Sequence, residues 1–257
     1  MVSTRHHPRD FPPATNTRAG TPSRTSGGTA SSSKKWVHTP TTAVNLWLLI
    51  SCPLVLWDAG YVLLRPHSMP GGKWHSPMWS PYALYATVDY IYGWPAYNSN
   101  NGFTAAQTYL NLVETAAYLY YLWVVYRHGT PAAGASRGNK SQGLWSVFTG
   151  DRVVSGRTGA IALLVVFSAS VMTLSKTILY CKRRSTSLGL RVNGYLGVQE
   201  YCCGFENIGH NDIWSLIILW IIPNGAWIIF PSWNLHVLGE EIVASLADGG
   251  SRQSKGQ

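Results

Sequence analysis

Four polar side chains stand out inside an apolar stretch. Gln107, Asn111, Glu114 and Tyr118 fall at intervals of four, three and four within Gly102–Tyr126, GFTAAQTYLNLVETAAYLYYLWVVY. At 3.6 residues per turn they share one stripe of a helix. The other faces of that helix carry Leu, Val, Ala, Trp and Tyr. A carboxyl group at mid-membrane costs about 2.5–3.5 kcal/mol on insertion scales. A chain tolerates that cost when the stripe faces a bundle interior or a ligand cavity. The chemistry open to such a set is proton transfer by the carboxyl, with amides and a phenol to orient what receives the proton.

Each of the other apolar stretches also carries polar groups that a plain anchor does not need. Asp58 and Pro53 lie in CPLVLWDAGY, and Ser168, Ser170, Thr173, Ser175 and Lys176 lie in FSASVMTLSKTILY. Pro223, Asn224, Trp227 and Pro231 lie in IIPNGAWIIFPSW. A structural reading stands beside the functional one: Asp58 or Glu114 pairs with Lys176 and fixes helix packing. Asn224 is equally suited to interhelical hydrogen bonding, and the Ser and Thr residues to local carbonyls. The prolines mark kinks, whose bare carbonyls can line a cavity.

The elements that must position these groups are membrane spans. The 257 residues are 46% hydrophobic and 12% charged, against about 25% charged in soluble domains. The 12 Trp and 14 Tyr suit membrane interfaces and apolar cavities. A net charge of +9 raises nucleic acid as a partner, but the basic residues occupy the N-terminal tail and the loops. A membrane explains that distribution and a nucleic-acid stripe does not.

Hydropathy predicts four spans, near 43–64, 104–126, 158–180 and 213–235. Residues 1–40, rich in Ser, Thr, Pro, Gly and Arg, read as a disordered basic tail without a signal peptide. Residues 41–245 form the membrane domain, and 246–257 a polar tail. WSPYALYATVDYIYGWPAY reads as a short helix or half-buried aromatic cap between spans one and two, holding Asp89. The 127–157 loop is Gly/Ser-rich, reads as mobile and carries an Asn139 sequon. Arg127, Arg137, Lys140, Arg152 and Arg157 in that loop join the basic tail on one side. The positive-inside rule therefore puts the termini in the cytosol, in an endoplasmic-reticulum-type membrane; Lys182, Arg183 and Arg184 lean the other way.

Zinc spacing, HExxH, a phosphate-cradling loop and a dinucleotide fingerprint are all missing from the sequence. So is an aspartate-rich magnesium motif. The residues imply no cofactor and no metal. Cys52 lies within a span, and Cys202 and Cys203 read as loop thiols. The chemistry left is proton transfer and cation stabilisation on an apolar substrate.

Two stretches resemble the emopamil-binding-protein family, the EXPERA-type four-helix membrane fold that includes a sterol isomerase. In NGFTAAQTYLNLVETAAYLYYLW, Glu114 and Thr115 fall on the family's membrane Glu-Thr pair. In Asn224-Gly-Ala-Trp227-Ile-Ile-Phe-Pro231 the family's Asn/Trp/Pro spacing recurs. Looser echoes are WSPYALYATVDYIY, Trp57-Asp58-Ala59-Gly60 and Gly209-His210, and the similarity covers about residues 43–245. There are two departures. The isomerase pattern has a His one turn before the acid of span one, where this chain has Leu54 before Asp58. The basic segment 181–198 also interrupts the passage into span four.

The resemblance implies an all-α, four-helix integral membrane protein acting on a flat isoprenoid by protonating an alkene or epoxide. It resembles both the sterol isomerase and fungal membrane terpene cyclases of secondary metabolism. Such chemistry needs a carboxylic acid kept protonated by an apolar site. Glu114 is then the expected acid, and Asp58 the base or the group that keeps Glu114 protonated. Asn224 is expected to orient the substrate, and Trp227 to face the cation. Gln107, Asn111, Thr115 and Tyr118 are expected to complete the lining. Lys176 is expected to pair with Asp58 or a loop acid, because spans one and three run parallel. The expected partners are a sterol- or terpene-like substrate and membrane lipid, with room for a homodimer. A non-catalytic sterol- or lipid-binding protein of the same fold is the main alternative. A small proton-coupled transporter fits less well, because the chain shows four spans and no inverted repeat.

Overall fold

Long apolar runs of Leu, Val, Ile, Ala and Trp favour long helices even where single prolines fall within them, and the molecule is mostly helical. The structure, a computed structural model, describes residues 36–132, 147–148, 150, 152–178, 205 and 207–254. All of these belong to one compact unit, Lys35–Gln257. The segment 181–198, the sequon at Asn139 and the cysteines beyond Cys52 lie outside the described residues.

Helix α1 spans Thr42–Leu63, and Pro53 sits within it without ending it. Two short helices come next, α2 (Tyr82–Val88) and α3 (Trp94–Asn98). The long helix α4 runs Phe103–His128, with Arg127 and His128 in its last turn, where a cation meets the negative end of the helix dipole. Helix α5 covers Gly156–Ile178. A last helical run begins with α6 (Ile213–Leu216), passes through a π-helical segment at Ile217–Ile221 and continues as α7 (Ile222–Ser254). Asp212 caps its start, with Oδ1 accepting from the Trp214 and Ser215 amides at 3.0 and 3.1 Å.

The π segment has a local cause. Pro223 offers no amide and crowds the carbonyl four residues back, and Asn224 Nδ2 donates to the Trp220 carbonyl at 2.8 Å. The ordinary ladder cannot continue there, and the wider turn absorbs the misfit.

Among the described residues, three helical runs are long and apolar enough to cross a membrane: Thr42–Leu63, Gly156–Ile178 and Ile213–Ala247. Helix α4 is as long, with 26 residues, but its Gln, Asn, Glu and Thr residues lower its hydropathy and it is not among the three. It nevertheless packs centrally, against α1 on one side and α5 on the other, while α5 also packs against α7. The order of contacts along α4 and α5, Asn111 to Lys176, Glu114 to Thr173 and Tyr118 to Ser170, makes the two antiparallel.

One end of the helices carries a small antiparallel sheet. Strands β1 (Val37–His38) and β2 (Thr130–Pro131) both pair with β3 (Arg152–Ser155). Val37 and His38 fall in the region that composition assigns to the tail, and β2 and β3 in the loop read as mobile. Gly156 turns β3 into α5 with a φ of +71°, a conformation other L residues adopt only with strain. Gly159 brings the next turn so close that a Cβ would stand 2.4 Å from the Val154 carbonyl.

Candidate functional site

The side chains of α4 and α5 decide the site. Lys176, in the last turn of α5, donates to Glu114 Oε2 at 2.7 Å and also to Asn111 Oδ1. The Thr173 hydroxyl, one turn earlier, lies 2.9 Å from Glu114 Oε2 and 3.0 Å from the Ala169 carbonyl. Its one proton is thus committed to an acceptor, so the Tyr118 phenol is the donor across the 2.9 Å between Tyr118 and Thr173. Glu114 is buried at 4% exposure, and its Oε1 has no hydrogen-bond partner.

This corrects the expected ion pair. Lys176 pairs with Glu114, not with Asp58. Helix α4 is the packed neighbour of α5 and presents Glu114 directly. Asp58 has its own partner, the Tyr82 hydroxyl, which donates to Oδ1. The two carboxyl groups share no hydrogen bond among the described residues: Asp58 is held by Tyr82, and Glu114 by Lys176 and Thr173. Glu114 also faces a cation, Lys176, which the expected arrangement of an apolar site with Asp58 nearby did not include.

Around Glu114 lies a cavity of about 20 Å³. Asn111, Thr115 and Tyr118 of α4 line it, with Ser51 and Cys52 of α1, Thr173 of α5 and Trp227 of α7. Trp227 meets Trp47 edge-on, with ring centroids 5.2 Å apart. On the outer side of the same wall, an apolar groove of about 260 Å³ runs between α4 and α5. Val113, Ala117, Leu164, Ala169 and Met172 line it, and Glu114 closes it. Glu114 therefore borders both spaces.

Gln107 and Asn224 do not join this set. Gln107 sits on the stripe two turns before Glu114, with a buried and unpartnered Oε1. Asn224 lies in hydrogen-bonding reach of Tyr85, beside the Asp58 group. That second group is aromatic. Tyr82 stacks on Tyr61 at 3.7 Å, and Trp57, Tyr85 and Tyr92 stand 5.0–5.9 Å from its ring. Burial, then the neighbouring Asp58, pushes the Tyr82 phenol far above its ordinary range, so it stays a donor. Asp89 accepts from the Ile91 amide at 3.1 Å and from Trp220 Nε1 at 3.2 Å, tying the end of α2 to the π segment. Arg65 donates to Thr104 Oγ1 at 3.0 Å and closes the end of α1 onto α4.

Three features escape a reading of the stripe alone. Thr173 is indistinguishable by sequence from its Ser and Thr neighbours. Asn234 is 1% exposed with both side-chain polar atoms unpartnered. His38, fully buried, places Nδ1 2.9 Å from the Glu241 carboxylate and Nε2 3.0 Å from the Tyr121 hydroxyl. An Nδ1 proton held on the carboxylate leaves Nε2 to accept from the phenol. His38 stands outside the apolar runs, which is why hydropathy passes over it.

Among the described residues, no cluster of three His, Cys, Asp or Glu could hold a metal ion. The chain matches no family model, no curated protein and no solved structure. Function must therefore be argued from the residues and their geometry.

Proposed function

We propose that the chain is a four-span membrane protein that moves a proton on a sterol- or terpene-like lipid, as an isomerase or cyclase that needs no metal. The observation that carries this reading is the Glu114–Lys176 pair, 2.7 Å apart inside the packed helices, with Asn111 and Thr173 as its other partners. Intramembrane charges are expensive and mark functional paths by default. A carboxylate beside an ammonium is also a place where a proton can reside on either group. In this reading α4 is the fourth span, carried by its partners despite its polar stripe, and α2 and α3 form the aromatic cap. The apolar groove admits a substrate from the lipid, and Glu114 exchanges the proton. The resemblance to the emopamil-binding-protein family supports the same assignment, and the basic tail and 127–157 loop favour cytosolic termini in an endoplasmic-reticulum-type membrane.

One observation favours the non-catalytic alternative. A cavity of about 20 Å³ holds a water molecule and not a sterol. The ion pair would then fix the helices, and the outer groove would bind lipid without turning it over. Turnover separates the two. Purified protein in lipid nanodiscs, offered sterols with ring alkenes and prenylated epoxides, should convert one of them. Glu114→Gln should slow that conversion by about 10²–10⁴-fold, the usual contribution of a positioned acid–base group. Equal rates for parent and Glu114→Gln would leave the lipid-binding reading in its place.

A further inference from the structure

Ser51 and Glu114 line the same cavity, and each has a buried polar atom without a hydrogen-bond partner among the described residues. Ser51 Oγ and Glu114 Oε1 are both buried and without a partner, in residues that are each 4% exposed. Ser51 is the more telling of the two. A hydroxyl within a helix ordinarily donates to the carbonyl four residues back. Thr108, Ser170, Thr173, Thr177 and Ser232 all lie within 3.0 Å of that carbonyl. Ser51 leaves the local bond unmade. Its oxygen is kept for something in the cavity.

The cavity sets the size of that partner. Its volume is about 20 Å³, and one water needs roughly 10–15 Å³ on the same scale together with two to four polar partners. Glu114 Oε1 belongs to a carboxylate and requires a donor. Ser51 Oγ can donate or accept. A single water meets both demands. A larger polar group does not fit, and an apolar one would leave both atoms orphaned in the interior.

We propose that this cavity is a binding site for one structural water, bridging Ser51 on α1 to Glu114 on α4. Glu114 is then held from two sides, by Lys176 and Thr173 at Oε2 and by the water at Oε1. The water also gives the carboxylate a hydrogen bond on the side away from the ammonium. This site is independent of turnover and exists whether the protein converts lipid or only binds it.

The test is a structure of the full chain in lipid nanodiscs at a resolution that shows ordered water. Density should lie within hydrogen-bond distance of both Ser51 Oγ and Glu114 Oε1. Ser51→Val fills the space with methyl groups, so it should abolish that density and shift the isotope-edited carboxylate stretch of Glu114. The Lys176–Glu114 contact should survive. An empty cavity in a parent map that shows other buried waters overturns the proposal, and so does a carboxylate stretch unmoved in Ser51→Val. Should Ser51→Val fail to fold, the parent map decides alone. Turnover is not read in this experiment, so its failure leaves the proton-transfer reading untouched.

Discussion

At the scale of single residues, Glu114 and Lys176 are held less by mutual attraction than by the lack of any alternative. Both are buried, with side chains 5% and 12% exposed. Taking two charges out of water costs several kcal/mol per ion, and the pair recovers this only with good geometry and further hydrogen bonds. Asn111 and Thr173 supply those. Removing one partner leaves an uncompensated charge, at about 3–5 kcal/mol, whereas replacing both is often close to neutral. Glu114→Gln and Lys176→Met should therefore each destabilise the protein by about 3–5 kcal/mol, and the double variant should recover most of the loss. Thermal unfolding in bicelles measures this. Additive losses in the double variant would mean that the two residues do not act as a pair. Even a shape-preserving amide at position 114 strands the lysine, so activity of Glu114→Gln is to be compared with the parent at a temperature where both are folded.

At the scale of elements, β3 approaches α5 too closely for a side chain at Gly159. A Cβ on Gly159 would stand 2.4 Å from the Val154 carbonyl and 3.4 Å from the His38 Cβ. Gly159→Leu should push α5 away from the sheet and lower stability by roughly 1–3 kcal/mol or more, as overpacking does. The same unfolding measurement reads it, and a neutral result would show that the sheet is not held against α5. The long helices are legible in the sequence because uninterrupted apolar runs of more than twenty residues allow little else. The sheet is not, because strands of two to four residues are too short to show alternation. The polar stripe of α4 is visible in its spacing, but which acid meets Lys176 is not. Depth along the membrane comes from span order, whereas the neighbour of α5 comes from packing that periodicity does not encode. Asp58 shows the same limit: its partner, Tyr82, arrives from a segment 24 residues downstream. Asn224 is drawn to Tyr85 and Trp220 because Pro223 opens the helix there, a consequence of one imino acid and not of a pattern.

At the scale of the molecule, β1 and the later turns of α7 meet at the same end, where His38 contacts Glu241. Arg127, Arg152 and Arg157 lie in the elements that end or begin beside the sheet, and by the positive-inside rule they predict its orientation. A tag at Met1 should be digested when protease is added to sealed right-side-out microsomes; protection of the tag would reverse the topology. The groove between α4 and α5 lies on the outer face of the same bundle, with Glu114 between it and the core. In the proposed function Glu114 passes a solvent-derived proton to a lipid, and deuterium tests that step most directly. Membranes containing the protein, suspended in heavy water and supplied with ring-alkene sterols and prenylated alkenes, should yield a lipid product carrying one solvent-derived deuterium on carbon. Membranes with Glu114→Gln should yield little of it. Label that appears equally with both proteins, or with neither, would contradict proton transfer by Glu114.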